Sequence, residues 1–455
     1  MFKTLKNAWK IEEIQNKILF TLLIILLYRV GSAIPVPFVD RSIIADFGNY
    51  YAGTMLEYLN IMSGSALSQA TLFALSVSPY ITASIVIQLL TVAFPDSLGK
   101  LAKEGEEGQK KMKKYTHYVT IALALITAYG YTALLGNPQG ALGSGITSML
   151  DSKHIVWGGA WATNGFEGTI NTLVIIASYV AGASIIMWLA ELIDAKGIGN
   201  GISMILFFNI VSSLPNYATS LWHAVTTANN LVVGILVGLL AVALTAGMVL
   251  LVVWVTHSER RIPIQYAKRV VGRKQYGGQS TNLPIKLNMT GVMPVIFSSS
   301  ICAVPGTIAA FLPQGGAKDF INTFFGQTSA AYIIVSLGLI IAFAYFYVMI
   351  SFNPIEVANN IKNQGGSVTG IRTGKPTADY ITKILNRITL IGAFFLIIVA
   401  GLPMIINVVA IAAKVEFPGI AFAGTSMLIV IGVAIETFRD IEAQITMRNY
   451  KGFLD

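Results

Sequence analysis

Residues 72–94 read LFALSVSPYITASIVIQLLTVAF, an apolar run without one charged side chain. At about 1.5 Å of rise per residue, a helix of this length crosses the roughly 30 Å hydrocarbon core of a bilayer. Outward from it, similar runs fall at about 18–34, 115–135, 169–190, 202–214, 231–255, 289–312, 330–352, 388–408 and 420–438, with the fifth in chain order shortened by Pro215. The chain has 455 residues and is 54% hydrophobic but only 12% charged, about half the charged fraction of a soluble domain. Lipid is therefore the solvent for most of its surface. The first run follows Lys3, Lys6, Lys10 and Lys17 in the manner of a signal peptide. It is long for one, and it continues into Pro35-Val36-Pro37 without a small-residue cleavage site, so it reads as a retained first span.

Ten spans put both termini on one face. Taken as cytoplasmic, that face carries 26 of the 31 Lys and Arg residues; the other carries Arg41, Lys153, Lys318 and Lys414, and Arg29 lies within the first run. One missed or extra span would invert every later loop and destroy this bias. The excess of basic residues on one face therefore predicts ten spans with N- and C-termini in the cytoplasm. It also accounts for the net charge of +9 without nucleic acid.

Within the second run stands Val77-Ser78-Pro79-Tyr80-Ile81-Thr82-Ala83-Ser84, and within the seventh Val292-Met293-Pro294-Val295-Ile296-Phe297-Ser298-Ser299. Both fit V-x-P-x-I-x-[AS]-S. Spans two and seven are equivalent when the chain is two five-helix halves, 1–216 and 217–455, which then cross the membrane in opposite senses. Inverted halves with a pathway between them are a transport architecture.

The chemistry of the spans narrows that reading. An ion-coupled transporter needs Asp, Glu or His at mid-membrane, and spans two to ten lack them at their centres; Glu191, Asp194 and Glu436 sit at span ends. Secondary transport remains the alternative. His117, His154, His223 and His257 form no metalloprotease motif, and the single Cys302 excludes an intrachain disulfide or thiolate cluster. The stretch Gly370-Ile371-Arg372-Thr373-Gly374-Lys375-Pro376-Thr377 resembles a phosphate loop but has Thr369 where its first glycine belongs and Pro376 where the magnesium-binding hydroxyl belongs. No enzymatic role and no cofactor are expected, so any energy source is a separate protein.

Two features exceed what a simple transporter requires. In the outer segment 35–71, the part from about 55 to 67 is too apolar for a solvated loop and too short to span. It reads equally as an interfacial helix or as a re-entrant element in a protein-lined cavity. The cytoplasmic loops 256–288 and 353–387 are longer than orientation demands. The first carries Arg260, Arg261, Lys268, Arg269, Arg273, Lys274 and Lys286, suited to an anionic partner such as ribosomal RNA or an acidic protein face. Arg372 stands between glycines on an expected tight turn.

These residues resemble, from end to end, the bacterial SecY family of protein-conducting channel subunits. The matching blocks are Asn60 to Ser68 (NIMSGSALS), Pro79 to Ile85 with Gln88 to Val92, Gly197 to Ser203 (GIGNGIS), Arg260-Arg261-Ile262-Pro263 with Tyr266 to Arg269, Leu283 to Asn288, Asn353-Pro354 and Gly370-Ile371-Arg372. The resemblance implies an all-α integral membrane protein of ten transmembrane helices, in two inverted five-helix halves around a central hourglass pore. It implies a constriction ring at Val77, Ile81, Leu206, Ile296 and Ile429, where Val77 and Leu206 depart mildly from an all-isoleucine pattern. A narrow aliphatic collar dewets, blocks ions and still yields around an extended chain. The plug is expected at about 55–67, including Ile61, Met62, Ser63, Gly64, Ser65, Ala66 and Leu67. Spans two, three, seven and eight would form a lateral gate, with Thr82, Gln88, Asn288 and Thr290 as its polar residues. Arg260, Arg261, Arg273, Lys274 and Arg372 would dock the ribosome and the SecA motor ATPase. Implied partners are SecE and often SecG, with signal sequences, nascent chains and membrane lipid as visitors. The implied activity is translocation of unfolded secretory polypeptides across the bacterial plasma (inner) membrane, with lateral release of membrane segments into lipid.

Overall fold

A computed structural model describes residues 8–39, 60–136, 165–227, 231–266, 269–271, 274–276, 280–311, 315–326, 329–412 and 426–451. In chain order they form α1 (Glu12–Gly31), α2 (Ser78–Ala93), α3 (Leu98–Lys103), α4 (Glu106–Gly136), α5 (Gly165–Lys196), α6 (Gly201–Ser212), α7 (Leu214–Thr227) and α8 (Leu231–His257). Strands β1 (Glu259–Tyr266), β2 (Arg269–Val271), β3 (Lys274–Tyr276) and β4 (Ser280–Lys286) follow. Then come α9 (Met293–Phe311), α10 (Gly316–Phe325), α11 (Ala330–Ser351), α12 (Pro354–Asn363), β5 (Gly366–Val368), α13 (Lys375–Ala412) and α14 (Met427–Lys451).

Among the described residues, six helical stretches are long and apolar enough to cross a membrane: Glu12–Gly31, Gly168–Lys196, Gly201–Thr219, Gly234–His257, Ala330–Asn363 and Lys375–Val409. Two shorter apolar helices are Ser78–Ala93 and Met293–Cys302. The remaining apolar runs, 115–135 and the described part of 420–438, lie in α4 and α14.

Prolines and left-handed residues set where the spans begin. Helix α2 starts at Ser78 rather than at residue 72, because the preceding stretch makes turns with φ of 43° at Ala70 and 52° at Ser76. Pro79 occupies its first turn, where a missing N–H removes no helical hydrogen bond. The fifth run does not stop at Pro215. Helix α6 ends at Ser212, and after Ser213 the chain re-enters helix as α7 with Pro215 in its first turn. Proline here begins a helix.

The long basic loops depart from a purely helical chain. In β1 the burial alternates, with Ile262 and Ile264 inward and Arg261, Pro263 and Gln265 outward, as a half-buried strand requires. β1 pairs antiparallel with β4, Glu259 opposite Lys286. β2 and β3 pair in the same register, Arg269 opposite Tyr276, so the four strands belong to one long hairpin. β5 joins the free edge of β1 with Ile264 opposite Val368, giving the order β4-β1-β5. The inner face of this sheet covers Ile361, Ile381, Leu385 and Ile388 of α12 and α13. The described parts of loops 256–288 and 353–387 are thus joined through one sheet.

Two apolar clusters hold the helices together. One draws on α1, α2, α5, α6, α9, α11 and α14, the other on α8, α9, α11, α13 and α14. Helix α9 packs against both α2 and α4, joining the chain's two parts along one seam.

Candidate functional site

The five expected ring side chains meet. Val77, Ile81, Leu206, Ile296 and Ile429 all belong to the first apolar cluster, and none is more than 9% exposed. They come from the starts of α2, α9 and α14 and from the middle of α6. The two V-x-P-x-I octets fold alike: the Ile81 amide donates to the Val77 carbonyl at 3.0 Å, and the Ile296 amide to the Val292 carbonyl at 3.2 Å. Each octet therefore presents its isoleucine one turn into a proline-started helix. A cavity of about 290 Å³ reaches this collar and is lined by Leu206, Ile296 and Ile429 and by the charged Lys286, Glu436, Arg439 and Asp440.

Against the collar lies the described part of the expected plug; residues 55–59 lie outside the described residues. Asn60 to Ser63 form one helical turn, and Gly64 and Ser65, with φ of 67° and 68°, turn the chain back. Hydrogen bonds close the reversal: Ser65 N–H to the Asn60 carbonyl at 2.9 Å, Leu67 N–H to Ser63 Oγ at 3.1 Å and Ser68 N–H to Asn60 Oδ1 at 3.0 Å. Met62, Ser63, Ala66 and Leu67 are buried, while Ile61, Gly64 and Ser65 are half-buried. Met62 shares the collar's cluster. Tyr131 of α4 donates its hydroxyl to the Leu67 carbonyl at 2.6 Å.

Sequence reasoning missed the polar group beneath this segment. Asn209 of α6 is fully buried and donates through Nδ2 to Tyr28 Oη of α1 at 2.8 Å, to the Met62 carbonyl at 3.0 Å and to Ser76 Oγ at 3.5 Å. Ser76 Oγ donates to the same Met62 carbonyl at 3.0 Å. The available signal was one carboxamide inside the apolar run 202–214. Attention to titratable residues passed over it.

The expected gate residues bond locally. Thr82 Oγ1 donates to the Ser78 carbonyl at 3.1 Å, Gln88 Nε2 to Ser84 Oγ at 3.3 Å and Thr290 Oγ1 to Asn288 Oδ1 at 3.1 Å. None of these bonds crosses from α2 to α9. Asn288 and Thr290 line the cavity, whereas Thr82 and Gln88 are half-buried on α2.

Of the expected docking residues, Arg260 and Arg261 stand exposed on β1. Arg261 is held by Glu259 on its own strand, Nη2 to Oε1 at 2.7 Å and Nε to Oε1 at 2.8 Å. Lys274 is in β3, and Arg273 lies outside the described residues. Arg372 is exposed, flanked by Gly370 and Gly374 with φ of 82° and 98°. Its carbonyl accepts from Thr377 Oγ1 at 2.8 Å, which ties the turn to the start of α13 and leaves the guanidinium outward. Among the described residues no group of three or more His, Cys, Asp or Glu side chains could hold a metal ion.

Comparison with known proteins gives one family. The SecY family model matches residues 71–438. Protein translocase subunit SecY of Streptomyces scabiei is 41% identical over 459 residues, covering 100% of both chains, and that of Mycobacterium tuberculosis is 39% identical over 466 residues with the same coverage. Among solved structures, one described as a protein conducting channel aligns with a TM-score of 0.61 at 16% identity, over 94% of this chain and 92% of that one. Sec61 in the canine ribosome-channel complex from the endoplasmic reticulum aligns with a TM-score of 0.58 at 15% identity, over 94% and 92%.

Proposed function

We infer how this protein works from one premise: the chain belongs to the SecY family and is a multi-pass membrane channel for protein translocation. Its cargo, on this reading, is the unfolded secretory polypeptide, carried across the bacterial plasma membrane with both termini of the channel in the cytoplasm. Apolar segments of cargo leave sideways into lipid between α2 and α4 on one side and α9 and α11 on the other. The halves 1–216 and 217–455 part along that seam.

The observation that carries this reading is the convergence of five aliphatic side chains from four helices, with Met62 packed against them and a cavity leading to them. Such a collar excludes hydrated ions because stripping their water costs more than aliphatic walls return. An extended polypeptide parts it, since no fixed charge must be displaced. Asn60 to Leu67 serves as the plug that covers the collar at rest. The five collar side chains carry no charge to bind a coupling ion, which favours the channel over ion-coupled secondary transport.

Energy comes from partners at the cytoplasmic sheet. The ribosome supports this in one way: a solved relative by fold is Sec61 bound in a ribosome-channel complex. Arg260, Arg261, Arg273, Lys274 and Arg372 give that sheet the basic rim an RNA or acidic protein face would meet. The same rim serves a SecA-type motor ATPase, and a SecE-type helix, with SecG, braces the two halves within lipid. The channel itself catalyses no reaction.

Depletion of the protein from its own cells tests the whole reading. Exported proteins are expected to accumulate in the cytoplasm with their signal sequences attached. Normal export, together with solute uptake by the purified protein in vesicles, overturns it.

A further inference from the structure

We propose that Asn209 is the latch of the plug, coupling its release to movement of α2. The proposal rests on reading Asn60 to Leu67 as the plug, and it concerns what holds that segment in place.

One carboxamide group joins three pieces of chain that are distant in sequence. Its Nδ2 reaches Tyr28 on α1, the Met62 carbonyl on the plug and Ser76 on the turn that leads into α2. Ser76 is itself bonded to the Met62 carbonyl, so plug, gate helix and α6 share one polar node inside an apolar cluster. Val77, the first collar residue, follows Ser76 directly. Any shift of α2 that parts the seam with α9 pulls Ser76 away from the node, and the Met62 carbonyl then loses its bond to Ser76 and its registration against Asn209.

The node is weak by construction. Asn209 Oδ1 is buried and has no hydrogen-bond partner, and a buried acceptor left unpaired opposes the state that contains it. It faces the plug at Gly64: a Cβ placed there would lie 3.1 Å from Asn209 Oδ1 and 3.0 Å from both Arg29 Nη1 and Ser212 Oγ. A side chain at that position would crowd all three groups, and a φ of 67° lies in the left-handed region that glycine adopts most readily. Donor bonds hold the plug and the orphaned oxygen opposes them. The resulting grip is strong enough to seal and slight enough for an arriving segment to break.

The test uses the intact channel complex purified from its own membrane and reconstituted into vesicles, with resting ion conductance as the readout. Asn209→Leu keeps the branched shape and heavy-atom count and removes every bond the amide makes in the node. It is expected to raise resting leak about tenfold, the equivalent of losing one buried hydrogen bond of roughly 1.4 kcal/mol, towards the level of a channel lacking residues 60–67. If Asn209→Leu lowers the amount of folded complex, Tyr28→Phe decides instead, because it deletes one hydroxyl and keeps the ring stacked on Phe73; it is expected to leak several-fold more than the parent. The double variant should leak no more than Asn209→Leu alone, since the hydroxyl acts through the amide, whereas two independent packing defects would add. Parent-level leak in both single variants, with a leaky 60–67 deletion, overturns the latch. Parent-level leak in the deletion itself overturns the plug assignment instead.

Discussion

Ile264 of β1 and Val368 of β5 face each other across antiparallel strands, and both are nearly inaccessible, at 4% and 3% exposure. That one pair joins two basic loops about a hundred residues apart in sequence. A partner pressing on either loop therefore presses on a sheet seated over α12 and α13, and its force reaches the spans through Ile381 and Leu385.

Ile264→Ala should cost about 2–4 kcal/mol of local stability, the usual penalty for emptying a buried isoleucine site. Amide hydrogen exchange is expected to speed up in 256–288 and in 353–387 together. Faster exchange confined to the first loop would show that β5 holds its place without β1.

Arg372→Glu is expected to abolish motor-driven translocation. The side chain is exposed and the turn is fixed by backbone φ and by the Thr377 hydroxyl, so charge reversal changes the face and spares the fold. Full-length channel should still be recovered from membranes at the parent level. Loss of the folded protein would assign this arginine a structural role.

Ile429→Asn places an unpaired amide among aliphatic side chains at a cost of about 1–3 kcal/mol and gives water a foothold in the collar. Single-channel recording should show a higher resting conductance. A channel as tight as the parent would mean that the seal lies elsewhere.

Gln88→Leu replaces a half-buried amide on the gate-side helix α2, whose bond stays within that helix, with an apolar side chain that an entering apolar segment meets more favourably, by about the 0.6 kcal/mol of an average polar contact in lipid. Precursors with weakened signal sequences should be exported about two to three times more efficiently, the change expected of that energy. Unchanged export of precursors with defective signals in the variant would count against a role for this residue in the gate.

Most of the membrane fold was legible because lipid imposes long apolar helices and basic loops leave a one-sided residue count. That Val77, Ile81, Leu206, Ile296 and Ile429 share one apolar cluster was expected only through resemblance: Leu206 in an apolar helix looks like any packing leucine on its own. The sheet was hidden because Arg260 to Tyr266 alternates in the way of a strand, yet the third strand that stabilises it, Gly366–Val368, is only three residues long and carries no pattern of its own. Asn209 was hidden for a different reason. Its role depends on a carbonyl, and a backbone oxygen at Met62 leaves no trace in the identity of the residue.

Helix α2 has 16 residues, about 24 Å of rise and less than a bilayer core, and it is preceded by the turns at Ala70 and Ser76 that follow the proposed plug. On the proposed reading, once residues 60–67 swing aside, water can stand on both faces of the aliphatic collar. A transmembrane voltage then falls almost entirely across that collar. An acidic residue on passing cargo, driven outward by an inside-negative potential, collects about 2.3 kcal/mol per 100 mV in a few ångströms of travel, and a basic one is held back by as much. On that reading, a waist of this kind would concentrate a field spread over a bilayer and discriminate passing cargo by the sign of its next charge.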